Sequence, residues 1–345
     1  MWQSRFTEAY GVELPFVSAG MGLVALPELA AAVSNAGGLG MLGVGSAPPA
    51  ALRQMIAAVR ALTSKPFGVN LIVDRMSFGP ASTEEHIEAC VAERVPAVVF
   101  HWNRPPVAWL AKLRAAGIRT WMTIGSVASA REAAAAGFDA LVAQGSEAGG
   151  HNRSTLGLAA LVPAVVDAVT PLPVIAAGGI ADGRGVAAAL ALGADAVCVG
   201  TRLVASRESF AHDEYKRRIV AASADDSVRT AIFGPEWPDQ PMKVLRNRVV
   251  AEWAAASERT PKASELRVIG RTRIGAVDYS MPRFSAVLPT RDTTGDFEEM
   301  CLAAGESAGL VRDVRPAGEI VRGMMDEARA IAAGRLAGLV RGVGA

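Results

Sequence analysis

His151 is the residue of this chain whose setting most favours catalysis. It ends the glycine-rich segment Gly149-Gly150-His151, which follows the end of a predicted strand at Gln144. Histidine is the usual general base near neutral pH, and glycines leave room for a substrate to approach it. The pattern therefore predicts His151 as a catalytic residue.

The other three histidines are weaker candidates. His101 ends a predicted strand beside Trp102, so it faces the same predicted pocket, although a buried histidine with a packing role is the alternative. His86 and His212 lie in polar helical stretches and are expected to be solvated.

Two predicted strands end in glycines that could hold an anion. The strand ending at Ala177 runs into Gly178-Gly179, and the strand ending at Val199 runs into Gly200-Thr201. Glycine lets the backbone approach an anion closely, and the Thr201 hydroxyl can donate a further hydrogen bond. The two turns together predict a phosphate site, with ordinary strand-to-helix turns as the alternative.

Two further segments carry weaker signals. Ala19-Gly20-Met21-Gly22 and Asn70 follow early strands and would leave room for a flat ligand whose edge Asn70 could bond. The segment from Gly38 to Gly43 fits G-x-G-x-x-G, but a helix precedes it and a strand runs through it. A dinucleotide site needs the reverse order, so this match is interpreted as a helix end and a closely packed strand.

The elements that must position these residues alternate regularly as far as about residue 206. Short apolar runs predict strands at 16–19, 40–42, 67–71, 97–101, 119–123, 140–143, 174–177 and 196–199. Alanine-rich stretches between them predict helices at 27–36, 48–62, 83–93, 106–116, 127–136, 156–169 and 182–192. Such alternation indicates a parallel sheet. Eight units in about 200 residues favour a closed TIM (β/α)8 barrel, with an open doubly wound sheet as the alternative.

The sequence pattern changes after the predicted barrel. We assign residues 1–206 to the barrel, 207–304 to a smaller, mainly helical domain covering one face, and 305–345 to a C-terminal helix packing back on the barrel. Charge rises from Arg207 onwards and the strand signal fades, which is the basis for the second domain.

Composition narrows the function classes. With 51% hydrophobic residues, 20% charged residues and a net charge of +1, the chain is neither disordered nor a nucleic-acid-binding protein. The three cysteines form no CxxC pair, so we expect no metal site and a reducing compartment. We also expect no signal peptide and no membrane span, hence a cytoplasmic protein.

Several of these segments together resemble a known family. In order along the chain these are Ala19-Gly20-Met21-Gly22, Ser34-Asn35-Ala36-Gly37-Gly38-Leu39-Gly40, Pro66-Phe67-Gly68-Val69-Asn70, Glu147-Ala148-Gly149-Gly150-His151, Ala177-Gly178-Gly179-Ile180 and Gly200-Thr201-Arg202. Over nearly its whole length the chain resembles the nitronate monooxygenases, formerly called 2-nitropropane dioxygenases. NADH:quinone reductases and FMN-dependent enoyl-ACP reductases share much of this pattern.

The resemblance implies a TIM barrel with non-covalent FMN. Carried over by motif, the cofactor-binding residues would be Ala19, Gly20, Met21, Asn70, Gln144, Gly149, Gly150, Gly178, Gly179, Gly200 and Thr201. His151 would be the catalytic base or would orient the nitronate, and no metal or nicotinamide would be needed.

The chain departs from the family pattern on the substrate side. Arg153 stands where a small residue is usual, His101-Trp102-Asn103 replaces a glycine-containing strand end, and Met122 lies where some relatives carry a lysine nearby. We therefore predict His101, Trp102 and Met122 as the substrate pocket.

The function that this implies is oxidative denitrification of alkyl nitronates or nitroalkanes with O2. The expected partners are that small molecule and O2, and a homodimer is compatible with the sequence. The alternative is an NAD(P)H-dependent flavin reductase that acts on quinones or enoyl thioesters. A third hypothesis is a flavin-binding protein without turnover.

Overall fold

Eight parallel strands form the centre of the molecule. The computed structural model describes residues 2–336 and 338, apart from 257, 258, 260 and 262–265. Its barrel strands, labelled β1–β8 in chain order, are Phe16–Ser18, Gly40–Gly43, Phe67–Val73, Ala97–Trp102, Arg119–Ile124, Ala140–Gln144, Val174–Ala177 and Ala196–Val199. Each lies within two residues of its predicted bounds, because short apolar runs between turns are a local signal.

The strands close into a barrel. Neighbours follow the order β1, β8, β7, β6, β5, β4, β3, β2, all parallel. The two end strands meet through a parallel bridge between Val17 and Leu39. The TIM barrel is therefore confirmed, and the open doubly wound sheet is excluded.

Alternation along the strands builds two apolar layers. One layer fills the barrel and includes Val99 of β4, Trp121 of β5 and Val142 of β6. The other lies between the strands and the helices and includes Phe100 and Met122. Successive side chains of a strand point to opposite faces, so the two layers take alternate residues.

Helices surround the barrel. Helices α1–α12 are Arg5–Tyr10, Pro27–Asn35, Pro49–Leu62, Glu84–Ala92, Val107–Ala115, Val127–Ala135, Leu158–Val169, Gly183–Ala191, Thr201–Val204, Asp213–Ala221, Arg248–Glu252 and Ala317–Ala330. The seven predicted helices are α2–α8. Four of them end before a glycine with positive φ, as their sequences predict: Gly37, Gly117, Gly137 and Gly193.

The N-terminal helix α1 closes the amino-terminal end of the barrel. Phe6 is fully buried and its ring lies edge-on to Trp121, with ring centroids 5.7 Å apart. The Trp121 indole N–H donates to the Tyr10 hydroxyl. The opposite, carboxyl-terminal end is thus the end left for a site.

Residues 207–304 differ from the mainly helical prediction. They contain α10 and α11 but also strands β9–β12, which are Ser227–Thr230, Met242–Leu245, Val268–Ile274 and Val277–Pro282. Strands β11 and β12 form an antiparallel hairpin across Gly275. The two buried residues of β11, Ile269 and Thr272, are three positions apart, and its exposed residues include Val268 as well as two arginines. The segment therefore lacks the alternating pattern by which a strand is predicted.

The C-terminal helix α12 packs on the barrel helices. Its apolar side chains, including Ile320, Val321 and Met325, belong to the layer between helices and strands. A π-helix, Ile331–Leu336, follows it, and residues 337 and 339–345 of the predicted C-terminal segment lie outside the described residues. No helix within the described part of the chain is long and apolar enough to span a membrane.

Candidate active site

Strand alternation brings polar side chains to the carboxyl end of the barrel. Trp121, Val142 and Val99 fill the interior, so the residues two places further on face the same interior: Thr123, Gln144 and His101. All three are partly buried. Asn70 joins them from β3. In a TIM barrel this end is where chemistry occurs.

The glycine cradle, consisting of Gly178, Gly179, Gly200 and Thr201, joins the ends of the neighbouring strands β7 and β8. Gly178 has φ +114° and Gly179 has φ +69°, a conformation that a side chain would strain. No hydrogen bond to another described residue involves the backbone N–H of Gly178, Gly179 or Gly200. Free backbone donors without side chains are the groups that a phosphate prefers. The cradle therefore fits the phosphate of FMN.

Thr201 is buried within this cradle. Its Oγ1 accepts a hydrogen bond of 3.0 Å from the N–H of Gly305, which leaves the hydroxyl proton free to be donated. This hydrogen bond connects the start of the predicted C-terminal segment to the glycine cradle.

The loop after β1, residues 19–22, lies against Asn70 of β3 and against Gly200 of the cradle. A Cβ on Gly20 would lie 2.3 Å from the Asn70 Cβ, so this position needs glycine. The Asn70 amide donates to the Gly20 carbonyl at 3.2 Å. A Cβ on Gly200 would lie within 3.4 Å of Ala19 and 3.6 Å of the Met21 sulfur. These early residues therefore border the cradle.

The two glycines before His151 have different surroundings. A Cβ on Gly149 would meet the Gly305 nitrogen at 2.4 Å, so Gly149 allows close backbone packing. Gly150 has φ +72° and open space around its Cβ position. The short strand Gly150–His151 pairs with β10, which connects residues 207–304 to the site. The Gln144 amide also donates to the His151 carbonyl at 3.3 Å.

The aromatic rim, consisting of His101, Trp102, His151, Arg153 and Trp237, occupies the other side of the mouth. The His151 ring centroid lies 4.4 Å from that of Trp237 and 5.8 Å from that of Trp102. The two indoles lie 4.7 Å apart. The Arg153 guanidinium stacks over Trp102 at 4.0 Å from the ring centroid.

Hydrogen bonds fix the outer members of the rim. The Trp237 indole N–H donates to Asp74 at 2.8 Å. Arg153 donates to the Trp102 carbonyl at 3.2 Å and to the Asn103 side chain at 3.0 Å. The rim is thus held by contacts between segments that are far apart in sequence.

Both rim imidazoles are neutral at physiological pH. Burial lowers the pKa of His151 to about 3, with His101 acting in the same direction. Burial lowers the pKa of His101 to about 4, with the nearby Arg153 charge adding to the effect. A neutral imidazole has one nitrogen that accepts a proton and one that donates.

The structure corrects one predicted pocket residue and adds two. Met122 is wrong as a pocket residue, since it is buried in the layer between strands and helices. Its neighbour Thr123 faces the interior instead, which the buried Trp121 two places earlier could have indicated. Trp237 lies in a turn-rich segment, and no pattern in the neighbouring residues indicates that it contacts His151. His101 and Trp102 lie beside His151, and their role as substrate-pocket residues stays a prediction.

Comparison with known proteins adds a family and several relatives. A family model described as nitronate monooxygenase matches residues 3–327. A Mycobacterium tuberculosis (strain H37Rv) protein, (3aS,4S,5R,7aS)-5-hydroxy-7a-methyl-1-oxo-octahydro-1H-indene-4-carboxyl-CoA dehydrogenase, is 35% identical over 94% of this chain and 96% of its own length. A probable nitronate monooxygenase of Staphylococcus aureus (strain Newman) is 37% identical over 68% of this chain and 77% of its own length.

Two solved structures are similar over nearly the whole chain. FabK from Thermotoga maritima is 34% identical, with a TM-score of 0.80, and the match covers 99% of this chain and 100% of that one. Nitroalkane oxidase from Streptomyces ansochromogenes is 30% identical, with a TM-score of 0.77, covering 96% and 99%.

Proposed function

This chain belongs to the nitronate monooxygenase family of flavin-dependent oxidoreductases, and we propose that it binds FMN and oxidises alkyl nitronates with O2. The observation that carries this proposal is the position of His151. A partly buried, neutral imidazole lies on one side of the barrel mouth, while a cradle suited to phosphate lies on the other. A flavin between them would present its ring to a substrate beside His151.

Each side of the mouth has its own task in this proposal. Gly178, Gly179, Gly200 and Thr201 would hold the FMN phosphate, and Ala19, Gly20, Met21, Asn70, Gln144, Gly149 and Gly150 would border the rest of the cofactor. When bound, FMN supplies the electron acceptor, which no amino-acid side chain can replace. The protein contributes binding, orientation and exclusion of water.

The low pKa of His151 favours a nitronate over a neutral nitroalkane. An imidazole with a pKa of about 3 is a weak base, so it is poorly suited to removing a proton from carbon. A nitronate has already lost that proton and needs only to be oriented. We therefore assign His151 the role of hydrogen-bonding and positioning the nitronate.

A second candidate is the oxidation or reduction of an acyl-CoA thioester. The observation in its favour is coverage, because the carboxyl-CoA dehydrogenase aligns with 94% of this chain and the nitronate monooxygenase relative with 68%. The exposed Arg153 at the mouth would suit an anionic substrate of this kind as well.

Steady-state assays with the purified protein separate the two candidates. The released cofactor is first identified as FMN by chromatography. Propane-2-nitronate in air should then cause O2 uptake with matching release of nitrite. Absence of both, together with rapid oxidation of NADH or NADPH by a quinone or an enoyl thioester, would reject the first candidate in favour of a reductase.

A further inference from the structure

Trp102 has an unusual backbone conformation for a large side chain. It ends β4 with φ +86°, in the left-handed region that a bulky residue enters only at a cost. Alternation along β4 would put its ring in the helix-facing layer with Phe100, but the ring instead lies beside His151. Arg153 holds this arrangement by bonding the Trp102 carbonyl and stacking on the ring.

The Trp102 indole N–H is buried without a partner. The residue is 7% exposed, and its Nε1 has no hydrogen-bond partner among the described residues. The neighbouring indole of Trp237 is different, since its N–H donates to Asp74. A buried donor left unpaired costs free energy, so its retention in a strained position needs an explanation.

His151 carries a second unpartnered atom in the same place. Its Nε2 is buried and has no partner within the described part of the chain. The rings of His151 and Trp102 are nearly perpendicular, at 82°. Two neighbouring rings, with centroids 5.8 Å apart, thus each carry a buried polar atom that lacks a partner, and the Arg153 charge lies over one of them. This combination suits an anionic oxygen.

We propose that the Trp102 indole N–H and His151 Nε2 together hydrogen-bond the negatively charged oxygens of the substrate, which makes Trp102 a substrate-binding residue. The inference rests on the proposed function, since it takes the nitronate as the anion. Arg153 acts through Trp102 by fixing the ring and adding positive charge. The site would then favour the anionic nitronate over the neutral nitroalkane.

Anaerobic rapid mixing of propane-2-nitronate with the FMN holoenzyme tests this assignment, because the nitronate concentration that half-saturates the rate of flavin bleaching gives the Kd. Trp102→Phe removes the N–H and keeps an aromatic ring, and it should raise the Kd about 10- to 100-fold, because hydrogen bonds to charged groups are strong. Binding of neutral 2-nitropropane should change less than threefold. Trp102→His, which restores a ring N–H, should recover part of the nitronate affinity.

Trp2→Phe is the matched control. The Trp2 indole N–H is also buried without a described partner, and it lies near another arginine, Arg329, at 5.8 Å. This variant should bind nitronate with the wild-type Kd. FMN content and thermal unfolding temperature are measured for each variant.

Indole N–H resonances of the wild-type holoenzyme give a test that needs no variant to fold. The chain has six tryptophans, and one indole signal should move downfield when nitronate is added. No shift in any of the six signals, or a wild-type Kd in a folded Trp102→Phe holoenzyme, would overturn the assignment. Nitronate binding that depends on Trp102 without O2 uptake would support the assignment and reject the proposed function instead.

Discussion

The glycine cradle and the aromatic rim face each other across the barrel mouth, yet they are built in opposite ways. The cradle consists of backbone and small residues at the ends of adjacent strands, so its shape follows from the barrel itself. The rim consists of large side chains that meet from β4, from the segment after β6 and from residue 237. Substitutions in the rim can therefore change which substrate binds, while the cradle keeps the same cofactor.

The largest effect is expected from removing the rim's central residue. His151→Ala should lower kcat/KM for propane-2-nitronate roughly 100-fold or more, because the substrate loses a positioned hydrogen-bonding group. Its FMN content should remain that of the wild type, since the cradle is untouched. His212→Ala, which removes a helix cap and a ring contact with Phe297, is the control and should stay within twofold. A His151→Ala value within threefold of wild type would contradict the role of the rim.

A substitution in the glycine cradle should weaken FMN binding, which the substitution of His151 leaves unchanged. Gly178→Ala adds a Cβ at 3.1 Å from the Ala148 nitrogen and forces alanine into φ +114°, so the FMN Kd should rise about tenfold. Gly117→Ala is the control, since Gly117 has φ +71° and open space far from the site. Both variants should lose about 1–2 kcal/mol of stability. Equal FMN affinity in the two variants would show that the cradle does not hold the cofactor.

The neutral histidines of the rim give a pH dependence that the cradle lacks. Because their pKa values are about 3 and 4 in the folded state and about 6.5 when unfolded, the unfolded chain takes up protons first as the pH falls. The free energy of unfolding should thus decrease below about pH 6.5, by about 1.4 kcal/mol per pH unit for each histidine. Urea unfolding of wild type and His101→Gln between pH 7 and 5 measures this, and equal slopes would refute it.

The smallest effect is expected at a position assigned to the pocket from sequence. Met122→Leu keeps the volume of a side chain in the helix-facing layer, so kcat/KM should change less than twofold and stability by less than about 1.5 kcal/mol. Thr123→Val, one residue further, removes a hydroxyl from the interior and should raise KM several-fold. The reverse ranking would mean that the strand faces the other way in the active enzyme.

Local signals explain what could be predicted. The strand bounds 174–177 and 196–199 agree with β7 and β8 because apolar runs and glycine turns are encoded in adjacent residues. The same turns indicated Gly178 and Gly200 as the candidate anion site. Met122 failed because one residue of register moves a side chain to the other face of a strand.

Contacts across the sequence explain what could not be predicted. Trp237 reaches His151 only through the folding of residues 207–304 over the mouth, and Asp74 fixes it from a distant strand end. The hairpin of β11 and β12 was missed because its buried and exposed residues do not alternate regularly. Neither the contacts of Trp237 nor the pairing of this hairpin leaves a periodic pattern in the sequence.

The most direct test of the account is an anaerobic titration of the purified holoenzyme followed by flavin absorbance. Propane-2-nitronate should bleach the oxidised flavin spectrum of the wild type, and the His151→Ala holoenzyme should bleach at least 100 times more slowly, on the order expected for a lost positioning group. A wild-type spectrum that nitronate leaves unchanged, while NADH or an acyl-CoA thioester bleaches it, would contradict the account.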